Sequence, residues 1–115
     1  MKLDIHSIVG ENCIAVADGE QVYNLIHPDL MAGRPVVLDF AGVNVFVSTF
    51  FNPAIGHLLE HLTKEQLSHL LTFDNLNPVG RDTINRVIEN SDRYYHDEAY
   101  RKALDEIVSE QADPV

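Results

Sequence analysis

His57, Glu60 and His61 spell H-x-x-E-H, the spacing with which inverzincin metalloproteases bind zinc. Two histidines four residues apart on a helix can share one metal ion, with the glutamate as general base. On a helical wheel both histidines lie opposite the apolar stripe that contains Leu58 and Leu59. A catalytic zinc also needs a third protein ligand and a cleft, so the pattern favours an exposed polar helix face and predicts no metal or cofactor.

Other motifs that carry catalysis are missing from the sequence. It has no Walker loop, no G-x-G-x-x-G and no G-x-S-x-G. Asp39 follows an apolar run, and two alternatives fit this position. It could belong to a functional site at the carboxyl end of a strand, or its carboxylate could be bound to backbone donors in a turn. The second, structural alternative is favoured. Cys13 is predicted to be a small buried side chain. These observations predict that the protein is not an enzyme.

Ser48 and Thr49 stand between a predicted strand and a predicted helix. One interpretation is that either hydroxyl caps the first helical turn by accepting from a free backbone N–H. The other is a phosphorylation site, where the helix dipole favours the added negative charge. Both alternatives stay open at this point.

Length and charge limit the classes of partner. The chain has 115 residues, which predicts one domain over 1–115, and a net charge of −10. This acidity argues against binding to nucleic acid or to an anionic membrane surface. We find no signal peptide, no apolar run long enough to span a bilayer and a single cysteine, so we expect a cytoplasmic protein.

The apolar pattern predicts four strands. Residues 2–9 alternate in polarity, and residues 13–17 form a short apolar run that is expected to pair with them in an antiparallel edge. Residues 35–41 form a nearly continuous apolar run, typical of a central strand covered on both faces. Residues 69–76 are predicted to form a second inner strand.

Helices are predicted between and after these strands. They begin at Asp18, at Asn52-Pro53, at Asn77-Pro78 and near residue 97, the last ending near residue 110. Asp18 and Gln21 have the spacing of a capping box, and Pro28 is expected to limit this first helix. Its predicted apolar stripe is Val22, Leu25 and Ile26. The alternating order predicts an α/β fold with helices packed on a small mixed sheet.

Two segments carry a family resemblance. Residues 36–43, Val-Val-Leu-Asp-Phe-Ala-Gly-Val, and residues 48–58, Ser-Thr-Phe-Phe-Asn-Pro-Ala-Ile-Gly-His-Leu, resemble the STAS-like family of unknown function. That family is related to the sulphate-transporter and anti-sigma-factor-antagonist domains, and the similarity continues into residues 74–76 and 86–89. The resemblance implies a STAS-like single domain with a mixed sheet of four to five strands. It also implies a non-enzymatic protein-interaction module.

The resemblance further implies a regulatory site. In the better-known relatives, a histidine-kinase-like ATPase phosphorylates a serine at the start of the helix after the central strand, which switches the bound partner. Ser48 falls at this position, and Thr49 is the neighbouring candidate. The relatives usually have aspartate just before the serine and glycine two residues after it, where this chain has Val47 and Phe50.

Partners of the relatives dock near this helix start. If the helical turn extends back from Ile55, Phe51 falls on the apolar stripe and Phe50 on the outer face. The expected partner-binding residues are Phe50, Ala54, His57 and His61. The expected partner is a protein such as a histidine-kinase-like ATPase, bound by a monomer or homodimer.

A second functional class also fits the composition. A small acidic inhibitor, such as an antitoxin or immunity protein, would neutralise a basic partner, and strong charge speeds such encounters. From Glu89 onward the chain carries 8 acidic and 3 basic residues. The alternative explanation of this negative charge is an ordinary acidic face exposed to solvent, with no role in binding.

Overall fold

A computed structural model describes residues 1–97, 99 and 102–105. In chain order the elements are β1 Lys2–Asp4, α1 Ile5–Val9, β2 Asn12–Cys13, α2 Val16–Met31, β3 Val36–Asp39, β4 Val45–Phe46, α3 Ser48–Ala54, the 3₁₀ helix Gly56–Glu60, α4 Lys64–Leu70, β5 Leu71–Asp74 and α5 Pro78–His96. No helix in this part of the chain has the length and apolarity needed to cross a membrane.

The strands form two small parallel sheets. In the first, β3 lies between β1 and β5, so that Leu38 is in register with Leu3 on one side and Phe73 on the other. In the second, β2 pairs with β4. The prediction of one mixed sheet of four to five strands is therefore wrong for the described residues, while the α/β alternation is confirmed.

The predicted antiparallel edge fails because the first strand ends early. Asp4 ends β1 and caps α1, accepting from the backbone N–H of Ser7 at 3.4 Å and from its hydroxyl at 2.8 Å. Ile5 then turns into the core as a helical residue. A short alternating pattern fits a strand or a helical turn, and here the cap decides between them.

Helix α2 differs from its prediction at both ends. It begins at Val16, with the backbone of Ala15 at the N-cap and no side-chain cap, so the Asp18 capping box is not formed. It also continues past Pro28, which is exposed, so the hydrogen bond that proline removes lies on the solvent side. Leu25 is 41% exposed and does not belong to the buried stripe.

Helix α3 begins before the predicted cap. Asn52 and Pro53 lie inside it, and the N-cap is Val47. After Ala54 the chain tightens into the 3₁₀ helix, where the N–H of Leu58 donates to the carbonyl of Ile55 at 3.0 Å. The single regular helix predicted from Asn52 onward is therefore two short elements.

The sequence prediction also missed one helix near β5. Thr63 and Gln66 form a complete capping box that begins α4, so the strand is only Leu71–Asp74. The predicted start of α5 is confirmed, because the side chain of Asn77 accepts from the N–H of Gly80 at 2.8 Å. The last predicted helix, residues 97–110, lies largely outside the described residues.

Phenylalanine rings join the two sheets to α3. Phe40 contacts Phe46 and Phe51 at centroid distances of 5.7 and 6.0 Å, and Phe50 contacts Phe51 at 5.3 Å. Leu59 of the 3₁₀ helix is also fully buried. Helix α3 packs against both α2 and α5, so its first residue is held in a well-defined position.

Candidate functional site

Ser48 and Thr49 open α3 at the protein surface, but their hydroxyls are placed differently. The N–H of Val47 donates to the carbonyl of Cys13 at 3.1 Å, which ties the helix start to β2. The Thr49 hydroxyl donates to the carbonyl of Ile14 and strengthens this tie. The Ser48 hydroxyl is exposed and makes no hydrogen bond with any residue that the structure describes. Of the two candidates, Ser48 is therefore the available one.

A groove of about 430 Å³ lies beside Ser48, between α3 and α5. Polar side chains dominate its lining, namely Ser48, Asn52, Thr83, Arg86 and Asn90. Arg86 is the one charged residue among the described residues of this lining, and none of them carries a carboxylate. This composition stands out in a chain whose net charge is −10.

A second groove continues from the first along α5. It measures about 500 Å³ and shares Asn52 and Asn90 with its neighbour. Its other walls include the rings of His57, Tyr94 and Tyr95. The surface next to Ser48 is therefore polar and cationic at one end and aromatic at the other.

The expectation that Phe50 and Ala54 lie on an outer face is wrong. Phe50 is 1% exposed and Ala54 is fully buried. The wheel assumed one buried face, whereas α3 is covered by α2 on one side and α5 on another. Phe51 is buried as expected. Neither Phe50 nor Ala54 can present its side chain to a partner in this structure.

His57 and His61 are exposed, as the wheel predicted, but each packs against α2. His57 stacks on Tyr23 at 4.5 Å, and its Nε2 lies 2.9 Å from a Glu60 carboxylate oxygen. His61 meets the ring of His27 edge-on at 5.6 Å. Within the described part of the chain, no three histidine, cysteine, aspartate or glutamate side chains are grouped so that they could hold a metal ion.

Tyr23 and His27 of α2 were not recognised from the sequence. Their spacing of four residues places them on one helix face, where their rings stack at 4.9 Å. Burial, and secondarily the negative charge of Glu60, raises the pKa of Tyr23. The Nε2 atom of His27 is buried without a hydrogen-bond partner among the described residues. The spacing was visible, but only the docking of α2 shows that these rings meet His57 and His61.

The structure supports the favoured alternative for Asp39, a carboxylate bound to a backbone donor in a turn. Asp39 lies at the carboxyl end of β3, and its Oδ1 accepts from the Asn75 amide at 2.9 Å and the Ala41 N–H at 3.0 Å. Lys2 adds a positive charge 3.7 Å away. The Asn75 hydrogen bond, then the Ala41 bond and the Lys2 charge, lower the pKa of Asp39. Its oxygens therefore serve the turn after β3.

Cys13 is buried, as its predicted role requires. Burial, with a smaller effect of the Asp18 charge, raises the pKa of its thiol to about 12. The thiolate, which is the nucleophilic form, is therefore strongly disfavoured.

Comparison with known proteins identifies the family to which this fold belongs. Residues 18–81, more than half of the chain, match the family described as a STAS-like domain of unknown function (DUF4325). Searches of curated proteins and of solved structures found no match. The matched region runs from α2 to the first turn of α5 and includes β3, Ser48 and both histidines of the 3₁₀ region. The chain therefore belongs to this family of STAS-like domains.

Proposed function

We propose that this protein is a non-enzymatic regulatory module that binds protein partners in the cytoplasm and exchanges them when Ser48 is phosphorylated. The proposed kinase is a histidine-kinase-like ATPase. The observation that carries the proposal is the exposed Ser48 hydroxyl, unengaged by described residues, on a helix start tied to β2. Membership in the STAS-like family supports the same role.

Exposed apolar side chains next to Ser48 offer a docking surface in place of Phe50 and Ala54. Ile14 and Val45 are 46% and 38% exposed on the β2–β4 side of α3. The Thr49 hydroxyl contacts the carbonyl of Ile14, and Val45 lies on β4, three residues before Ser48. The fully buried centre of a protein interface is more apolar than its rim, so exposed apolar side chains of this kind suit the centre of a docking surface.

Phosphorylation would change this surface through charge. The kinase would transfer the γ-phosphoryl group of ATP to Ser48 Oγ, releasing ADP while the hydroxyl proton passes to a base of the kinase. The product adds about 1.5 to 2 negative charges beside Ile14 and Val45. A partner that buries these side chains would have to desolvate the phosphate, so its affinity falls.

The test combines partner recovery with substitutions at Ser48. The wild-type chain, Ser48→Ala and Ser48→Asp are used to recover bound proteins from the native host in mild salt. Ser68→Asp is the matched control, since Ser68 is exposed on α4 and lines neither groove. We expect an ATPase to bind the wild type and Ser48→Ala, to bind Ser48→Asp at least about tenfold more weakly, and to be unaffected by Ser68→Asp.

Purified components complete the test. The recovered ATPase should transfer phosphate from ATP to the wild-type chain and not to Ser48→Ala. A basic nuclease-like protein that binds all four chains equally would instead support the acidic-inhibitor function, which rests on the net charge of −10. Transfer of phosphate to another residue, with Ser48→Ala still labelled, would refute the assignment of Ser48.

A further inference from the structure

Arg86 is positioned by the packing of α5. The neighbouring Ile84 and Val87 are buried and dock the helix, which leaves Arg86 exposed on the wall of the groove beside Ser48. Arg34 and Lys64 pair with carboxylates at 2.8 and 2.9 Å, whereas Arg86 makes no ion pair with a described residue. Its guanidinium is therefore available for an anion that enters the groove.

We infer that Arg86 binds the phosphoryl group of phosphorylated Ser48 across this groove, so that modification joins α3 to α5. The inference rests on the proposed function, because it concerns the modified form of Ser48. In the unmodified chain Arg86 has no ion-pair partner among the described residues. After phosphorylation, Arg86 of α5 would contact the phosphoryl group on α3.

The chemistry of the lining favours this contact. A guanidinium presents paired N–H donors that match two phosphate oxygens, and such charge-assisted hydrogen bonds are stronger than neutral ones. Thr83 and Asn52 add neutral hydrogen-bonding groups to the same lining. No carboxylate among the described lining residues competes for Arg86.

The contact would also affect the second groove. Asn52 and Asn90 line both grooves. A phosphoryl group bound at Arg86 would therefore lie where the first groove meets the second groove, whose walls include His57. A partner that uses both grooves would meet a filled polar end after phosphorylation. The modification would thus alter shape as well as charge.

The experiment places phosphoserine at position 48 by genetic encoding, so no kinase is needed. The phosphorus resonance is followed by NMR as the pH changes. A phosphoserine has a second pKa of about 6, and an adjacent cation lowers it. In the full chain we expect a value lower than in the Arg86→Gln variant by at least about half a unit. Arg81→Gln is the matched control on α5, since Arg81 is exposed, lies outside the groove and donates to the carbonyl of Phe73.

A second measurement needs no variant. The side-chain Nε–H resonance of Arg86 should shift between the unmodified and the phosphoserine chain, and that of Arg81 should not. An unchanged Arg86 resonance, or equal phosphoserine titration in the parent and Arg86→Gln chains, overturns the inference. Failure of the proposed kinase to act on Ser48 leaves these measurements unaffected, so the two proposals fail separately.

Discussion

The substitution Gly19→Ala tests the contact that positions α3. Gly19 lies in the second turn of α2, where a Cβ atom would meet the carbonyl oxygen of Phe50 and stand 2.6 Å from Pro53 Cγ. Ordinary van der Waals contact begins at 3.4 Å, so α2 and α3 would have to separate by ~1 Å. Part of the obstruction is backbone, which cannot rotate away as a side chain could.

Two free-energy terms oppose each other in this variant. Alanine is favoured over glycine inside a helix by about 1 kcal/mol, which alone would stabilise α2. Forcing an extra carbon into a close-packed contact costs about 1 to 3 kcal/mol and sometimes more. We expect the packing term to dominate, so Gly19→Ala should lower the free energy of unfolding by up to about 2 kcal/mol.

Urea denaturation followed by circular dichroism measures this difference. The control is the pair Asn24→Ala and Asn24→Gly, because Asn24 is exposed on the same helix and reports the intrinsic preference alone. Alanine should be the more stable of that pair by about 1 kcal/mol. If Gly19→Ala raises stability by the same amount, the close approach of α2 and α3 is wrong.

Three further predictions concern the core, the turn after β3 and metal binding. Phe50→Ala should lower the free energy of unfolding by about 3 to 5 kcal/mol, because the ring is buried. An unchanged urea midpoint would show that the Phe50 ring is not buried. Asp39 has a lowered pKa in the folded state, so its ionised form stabilises the fold above the ordinary aspartate pKa of 3.8, and this contribution disappears as the pH falls through the lowered value. Asp39→Asn should therefore be less stable than the wild type at pH 7 and approach it in acid, and a pH-independent difference contradicts this. Metal analysis of the untagged protein should find less than about one zinc per ten chains, and stoichiometric zinc that is lost in His61→Ala would refute it.

Much of the fold could be predicted wherever the signal lies in adjacent residues. The central strand appears as a nearly continuous apolar run and is observed as β3. The Asn77-Pro78 cap correctly places the start of α5, since capping needs only the side chain and backbone of one turn. The Thr63 capping box was equally local and was overlooked, so α4 is a missed signal rather than an undetectable one.

The position of Ser48 at a helix start was visible in the sequence, whereas the packing of the surface around it was not. Phosphorylation of Ser48 stays a prediction. Ser48 follows directly from its place between strand and helix, and its hydroxyl is exposed. Phe50 was assigned to the surface from a wheel with one buried face, and Ala54 was expected to bind a partner beside it. Both are buried, because a wheel holds no information about a second helix packing on the other side. His57 and His61 are exposed, but their contacts with Tyr23 and His27 depend on how α2 docks.

The sequence by itself determined the α/β alternation, the acidic charge and the strand that forms the middle of the larger sheet, because these depend on composition and local periodicity. Tertiary structure alone decided that β1 pairs in parallel with β3 and that β2 pairs in parallel with β4. It also decided that Arg86 lines the groove beside Ser48. Finally, it decided that α2 approaches α3 at Gly19 too closely to leave room for a Cβ atom. In each of these cases two segments distant in sequence approach each other, and the free energy of their packing outweighs the intrinsic preferences of either segment.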